Sequence, residues 1–255
     1  MSIKLKTEAE IKILREGGRR LAAILRQVAD RVKPGISTLE LDALARELIK
    51  SSGDEPSFLN YRPRGVARPY SFALCVSTND EVVHGLPGNR ILQTGDLASL
   101  DLGLKHDNMF TDMAVTVPVG EIGGAAQTLL AATEMALRRG ISAARAGQRI
   151  GDVSRAIEEV AKAGGYGVVR ELGGHGVGHQ VHEEPMVPNF TSQAKGPKLK
   201  PGMVLALEPM LTLGGGEVVF LPDGYTVKTA DGALAAHFEH TILITATGPE
   251  ILTVL

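Results

Sequence analysis

Leu97-Ala98-Ser99-Leu100-Asp101-Leu102-Gly103-Leu104 and Phe110-Thr111-Asp112-Met113-Ala114-Val115-Thr116-Val117 are two apolar runs joined by the polar tetrapeptide Lys105-His106-Asp107-Asn108. Runs of this kind across a short polar turn read as a β-hairpin. A turn symmetric about its middle sets Asp101 directly opposite Asp112 on one face, with Cβ atoms about 4.5–5.5 Å apart. Two like charges so close repel, so either a divalent cation lies between them or they share a proton. The plain alternative is a pair of solvated aspartates. The flanks Leu100, Leu102, Thr111 and Met113 to Val115 argue instead for burial.

Working outward, the chain repeats one plan. Thr7-x-x-Glu10 forms a capping box ahead of a stripe of Ile11, Leu14, Leu21, Ile24, Leu25 and Val28 at helical spacing. Ser37-x-x-Glu40 opens a second helix that ends at Gly53. Strands are expected over 72–77 and along the two hairpin runs. Two more helices follow near 124–139 and 151–163, then strands near 168–171, 203–207, 217–220 and 237–245. Gly35, Glu47, Lys50 and Gly53 recur as Gly147, Glu159, Lys162 and Gly165, at one constant offset. The reading is a single catalytic domain over 1–255, with pseudo-equivalent halves of about 1–120 and 121–255 and a site between them.

Composition sets limits on function. The chain has 255 residues, with 27 basic and 29 acidic side chains. No Lys/Arg run supports nucleic-acid binding. The N-terminal segment Met1 to Lys6 lacks an apolar signal-peptide core, and no apolar run is long enough to span a membrane. The single cysteine, Cys75, fits a reducing compartment. A cytoplasmic protein is expected.

Further residues that can carry chemistry lie in the second half. Gly173-Gly174-His175-Gly176-Val177-Gly178-His179-Gln180-Val181-His182-Glu183-Glu184-Pro185 places three His and two Glu among closely spaced glycines. So many glycines oppose a regular helix and mark a path where backbone must approach closely. Glu208 closes an apolar strand just before Pro209, and Glu239 lies within Phe238-Glu239-His240-Thr241-Ile242. A carboxylate inside a core-bound strand is costly unless it is paired or metal-bound; an edge strand with a solvated Glu is the alternative. His106 reads as a surface residue of the hairpin turn, His179 and His237 as bystanders, His237 sharing a strand face with Glu239, and His240 as structural.

Asp101, Asp112, Gly174-His175-Gly176-Val177-Gly178, His182-Glu183-Glu184-Pro185, Glu208-Pro209 and Phe238-Glu239-His240-Thr241 together resemble the type I methionine aminopeptidases. Thr7 to Ile11, Asn79 to Pro87 and Asp223 to Thr229 are similar to that family as well. The resemblance implies an α/β pita-bread fold, an antiparallel sheet flanked by helix pairs with internal pseudo-twofold symmetry. It implies two divalent metal ions, of cobalt, manganese, iron or zinc. Asp112 and Glu239 would bridge them, Asp101 would complete one site, and His175 and Glu208 the other. Four carboxylates against two divalent cations and a hydroxide leave the cluster near neutrality.

The resemblance further implies removal of N-terminal methionine from nascent proteins and peptides, by attack of a metal-bridging hydroxide on the first peptide bond. Glu208 would take the proton, His182 would stabilise the oxyanion, and His84 would contact the amide nitrogen of the cleaved bond. Phe58, Tyr61, Tyr70, Cys75 and Tyr225 are candidate walls of the side-chain pocket, although each also suits core packing. Tyr225 stands where the family often has Trp, and Val181 where Phe is common. Arg62-Pro63-Arg64-Gly65-Val66-Ala67-Arg68 reads as an insertion beside the pocket that bears on substrate access or on contact with the ribosome. A monomer with no membrane or nucleic-acid partner is expected. The alternatives are an X-Pro aminopeptidase or dipeptidase of the same fold, a non-catalytic binding module, and a two-metal hydrolase of small molecules.

Overall fold

The computed structural model describes residues 3–63 and 66–254. Among these described residues, four helices and fifteen strands follow one another as α1 (Glu8–Ala29), α2 (Thr38–Ser51), β1 (Glu55–Pro56), β2 (Leu74–Thr78), β3 (Glu81–Val83), β4 (Leu97–His106), β5 (Met109–Pro118), α3 (Gly124–Ala143), α4 (Ile150–Gly164), β6 (Gly167–Val168), β7 (Gly173–Gly176), β8 (Glu183–Pro188), β9 (Val204–Leu207), β10 (Met210–Thr212), β11 (Val218–Phe220), β12 (Val227–Thr229), β13 (Ala235–His237), β14 (Glu239–Ile244) and β15 (Pro249–Ile251). The helices start where local chemistry says they should. Thr7 and Ser37 each accept the amide of the glutamate three residues on, and that glutamate accepts the cap amide in return. Replacing either cap by Ala costs about 1 kcal/mol in general.

The main sheet runs β1-β4-β5-β14-β9-β7-β8, with β2 also on β4 and β15 also on β14. All its pairings are antiparallel. Each end of the sheet is covered by its own helix pair. Leu21, Leu25 and Val28 of α1 and Leu41, Ala45 and Ile49 of α2 pack on Leu74, Val76, Leu100, Leu102 and Leu104. Leu129 and Leu137 of α3 and Val153 and Ile157 of α4 pack on Leu205, Leu207, Ile242 and Ile244. The recurring glycines occupy matching backbone states. Gly35 and Gly147 precede α2 and α4 with φ of 94° and 89°, and Gly53 and Gly165 follow them with φ of 77° and 72°. Left-handed φ at these four turns accounts for glycine at each.

The hairpin register corrects one expectation. Asp101 pairs with Ala114, and Asp112 pairs with Gly103. The two aspartates are therefore diagonal neighbours on one face, not direct partners. The cause is the turn, which has two residues rather than four. Asp107 and Asn108 hold φ of 44° and 65°, the doubly positive geometry of a tight hairpin turn. Lys105 and His106 then still pair with Phe110 and Met109. The shift is by two, so each side chain keeps its face. His106 is also not a surface residue. Its Nδ1 lies 2.8 Å from Oδ1 of Asp54, and its side chain is 14% exposed.

The expected strand over 237–245 is two. His237 ends β13 in a three-stranded sheet with β10 and β6, whereas Glu239 begins β14 in the main sheet. Among the described residues no helix is long and apolar enough to cross a membrane.

Candidate metal centre and active site

Alternation along the strands sorts side chains into two layers. On β4 the leucines 100, 102 and 104 face the helices, so Asp101 and Gly103 face the other way. Across the central strands the register then carries one feature from each to the next. Asp101 stands beside Ala114, Ala114 beside Glu239, and His175 beside Ala206. Asp112 lies two residues from Ala114, and Glu208 two residues from Ala206. Period two puts all five ligand-type residues on one face, from β4, β5, β14, β7 and the end of β9. The two halves thus present the same device, a residue opposite an alanine with an acid two residues along.

Where the β5–β14 ladder is short, threonines continue it. Thr241 Oγ1 accepts from the Asp112 amide at 2.9 Å and donates to the Asp112 carbonyl at 2.7 Å. Thr116 Oγ1 treats His237 in the same way, at 2.8 Å for both contacts. Glu208 is held from behind, as Asn189 Nδ2 donates to its carbonyl at 3.0 Å.

The glycines around His175 serve close approach. A Cβ on Gly174 would run into the Ala206 carbonyl, and one on Gly176 into the Glu184 carbonyl. The segment is a strand, β7, with a register shift between Gly174 and Gly176 as it pairs with β8.

Asp112, His175 and Glu239 offer atoms that all lie within 4.8 Å of one another. His175 Nε2 is 3.5 Å from Glu208 Oε1, and His237 Nε2 is 3.7 Å from Glu208 Oε2 and 3.9 Å from Glu239 Oε2. Asp101, Asp112, His175, His237 and Glu239 are all buried. Asp101 Oδ1, Glu239 Oε1 and both ring nitrogens of His237 are buried without a hydrogen-bond partner. Burial pushes the Glu208 carboxyl up to about 8, helped by the Asp101 charge. Burial raises Asp101 to about 7 against the pull of Asp112 beside it. Burial and neighbouring carboxylates drive Asp112 and Glu239 well above the ordinary range. Four crowded carboxylates, two of them with an orphaned oxygen, form a site that a divalent cation would satisfy. One imidazole among oxygen donors suits first-row divalent ions.

The cluster floors a cavity of about 320 Å³. Phe58, Tyr61, Tyr70, Cys75 and Tyr225 line it, together with His84 and His182. Val181 packs with Phe58, Tyr70 and Cys75 behind the wall. His182 sits at the mouth, with its ring centroid 4.3 Å from that of His175 and its Nδ1 2.8 Å from the Tyr61 hydroxyl. His84 holds φ of 60°, an uncommon state for a residue with a side chain. Burial lowers His84 to about 4 and His175 to about 3, with His182 adding to both effects, and loss of water lowers His182 to about 4.

His179 is outside this group, paired with Glu10 at 2.7 Å. His237 is part of it, and its alternation with Glu239 was the sequence signal. Of the arginine stretch, Arg64 and Gly65 lie outside the described residues; the Arg68 carbonyl accepts from the Tyr225 hydroxyl at 2.6 Å. The supporting threonines and Asn189 carried no signal in the sequence.

A sheet that lines up these acids under an apolar cavity defines a metal-dependent peptidase fold, and the profile of metallopeptidase family M24 matches residues 12–246. The chain belongs to that family. A methionine aminopeptidase of Aquifex aeolicus is 46% identical over 258 residues, covering 100% of both chains. Methionine aminopeptidase 1 of Bacillus subtilis is 46% identical over 97% of this chain and 98% of its own. The crystal structure of a methionine aminopeptidase from Thermotoga maritima has a TM-score of 0.95 at 40% identity, covering 100% of each chain. An Xaa-Pro dipeptidase from Bacillus anthracis has a TM-score of 0.78 at 23% identity, covering 98% of this chain and 62% of its own, and shares the pita-bread fold alone.

Proposed function

We propose that this chain is a methionine aminopeptidase, which hydrolyses the first peptide bond of chains that begin with methionine. The observation that carries the reading is the line of Asp101, Asp112, His175, Glu208 and Glu239 on one sheet face beneath an apolar cavity. Asp112 and Glu239 would be shared between two divalent ions. Asp101 would complete the first site, and His175 with Glu208 the second. Cobalt, manganese, iron and zinc all suit this donor set. Bound there, the ions supply Lewis-acid polarisation of the scissile carbonyl and acidify water.

The chain's own groups do the rest. Glu208, at the edge of the cavity, takes a proton from the attacking water and returns it to the leaving amine. His182 donates to the oxygen on which negative charge develops. His84, held in its strained turn, contacts the amide nitrogen that becomes the leaving group. Phe58, Tyr61, Tyr70, Cys75 and Tyr225 enclose an unbranched apolar side chain and exclude water from the reaction. The protein acts as one catalytic domain in the cytoplasm, on nascent chains.

A panel of short peptides varied at the first two positions, run with each of the four metals, tests the reading. Release of methionine from Met-Ala-Ser, with X-Pro peptides left intact, is the expected result. Turnover of X-Pro peptides alone would replace this reading by that of a proline-specific peptidase.

A further inference from the structure

Lys6 is a buried lysine outside the proposed catalytic set. Its side chain is 1% exposed, and its Nζ lies 2.6 Å from Glu183 Oε2. The partners are 177 residues apart. The second carboxylate oxygen, Glu183 Oε1, accepts the backbone amides of His179 and Gln180, the latter at 3.0 Å. One carboxylate therefore gathers the ammonium and both amides, and folds the 177–182 loop back on the first residue of β8. The Lys6 stem fills the space that a Cβ on Gly178 would need, and the Gly178 carbonyl accepts from the Phe110 amide at 2.7 Å. The Lys6 amide donates to the Gly202 carbonyl at 2.7 Å. The lysine is thus anchored at both its backbone and its head.

Glu183 directly follows His182. His182 is the last residue of the loop and Glu183 the first of β8, and both border the cavity. The Glu183 carboxylate reaches Lys6 and the loop amides, whereas the His182 ring meets Tyr61 and His175. Because the two residues share a peptide bond, fixing the Glu183 carboxylate fixes where the loop delivers His182. A charged pair so deeply buried persists only with its partners in place, and removing one leaves a charge with no compensation.

We infer that Lys6 is a positioning residue for His182, acting through Glu183 and the loop that Glu183 closes. The inference rests on the proposed working role of His182. It makes the ordered N-terminal segment part of the catalytic apparatus, although nothing in it touches substrate. A misplacement of about 1 Å at a reacting group can cost roughly 100-fold in rate.

The test is a double-mutant cycle of Lys6→Met and His182→Ala in the metal-loaded protein, read as kcat and KM on Met-Ala-Ser. In the otherwise native chain Lys6→Met should lower kcat by about 10- to 100-fold with KM changed less than about threefold. In the His182→Ala background the same change should cost less than about twofold. An equal loss in both backgrounds, or no loss in the first, overturns the inference. Should Lys6→Met fail to fold, Glu183→Gln serves in its place, since it keeps an acceptor for the two amides and removes the charge. Imidazole NMR gives a readout independent of turnover. Lys6→Met should move the His182 signals and leave those of His240 in place, and unmoved His182 signals overturn the inference. Absence of turnover in the wild-type protein would count against the proposed function, and the NMR arm would still decide the role of Lys6.

Discussion

The Tyr61 hydroxyl lies 2.8 Å from Nδ1 of His182, and the two rings sit 5.3 Å apart. A partner on one ring nitrogen governs the proton on the other. Tyr61 therefore sets which tautomer His182 presents to the cavity, besides forming part of the wall. Tyr61→Phe keeps the wall and removes the hydroxyl. It should lower kcat roughly fivefold, the rate equivalent of one hydrogen bond of about 1 kcal/mol. Steady-state kinetics on a Met-Ala peptide check this, and an unchanged kcat would remove Tyr61 from the account of His182.

Glu208, proposed both as base and as metal ligand, and Asp101, proposed as metal ligand alone, are tested by different readouts. Glu208→Gln keeps the size of the side chain and loses its basicity, so turnover should fall by about 100- to 10,000-fold while the protein stays folded. Asp101→Ala removes one donor of a single proposed site. Calorimetric titration of the metal-free protein should show two ions bound by the native chain and one tight ion by the variant. Equal stoichiometry and affinity in the two proteins would argue against a two-ion centre.

The stability of the metal-free protein should depend on pH in a defined way. Asp101 and Glu208 have folded values raised to about 7 and about 8 by burial. Groups raised on folding contribute stability that is full below their unfolded values, near 4, and lost as pH rises through the folded ones. His84, His175, His237 and His240 are lowered to about 3 or 4, chiefly by burial. Their contribution is full above about 6.5 and lost below it. Between pH 6.5 and 8.5 the protons held by the four raised acids of the folded state outnumber those still held by the unfolded histidines, so the melting temperature of chelator-treated protein should fall across that window. A divalent cation should raise the melting temperature most at the alkaline end, because the carboxylates it binds are then ionised. A flat profile from 6.5 to 8.5 in the metal-free protein would contradict the burial of an uncompensated acid cluster.

Gly174→Ala should destabilise the protein by roughly 1–3 kcal/mol, the usual cost of forcing extra atoms into a packed interior. The added methyl meets the Ala206 carbonyl and Val187 Cβ, at the seam where β7 pairs with β9. Denaturant melts check the stability. Loss of metal affinity in the same variant is expected, since β7 carries His175.

Much of this protein is legible before folding is considered. Thr7 with Glu10 and Ser37 with Glu40 announce helix starts because their hydrogen bonds close within three residues. The faces of β4 and β5 follow from alternation alone. The acids and histidines of the centre declare themselves by standing in apolar or glycine-rich stretches. His106 misleads because its partner, Asp54, comes from a segment with no regular pattern. His237 is read too weakly because its neighbours, Glu208 and Glu239, meet it only across two sheets.

Local chemistry within a few residues was therefore determined by the sequence itself: the helix starts, the facing of each strand, and the supply of ligand-type side chains. Tertiary structure alone decided the rest. The two-residue turn at Asp107 and Asn108 chose between registers that bury the same faces, and made Asp101 and Asp112 diagonal neighbours. Burial of the Lys6 ammonium beside Glu183 required the chain to close over both. The physical reason is the range of the forces. Caps and alternation are settled by backbone geometry nearby. Register and buried charge depend on which distant segment removes the water.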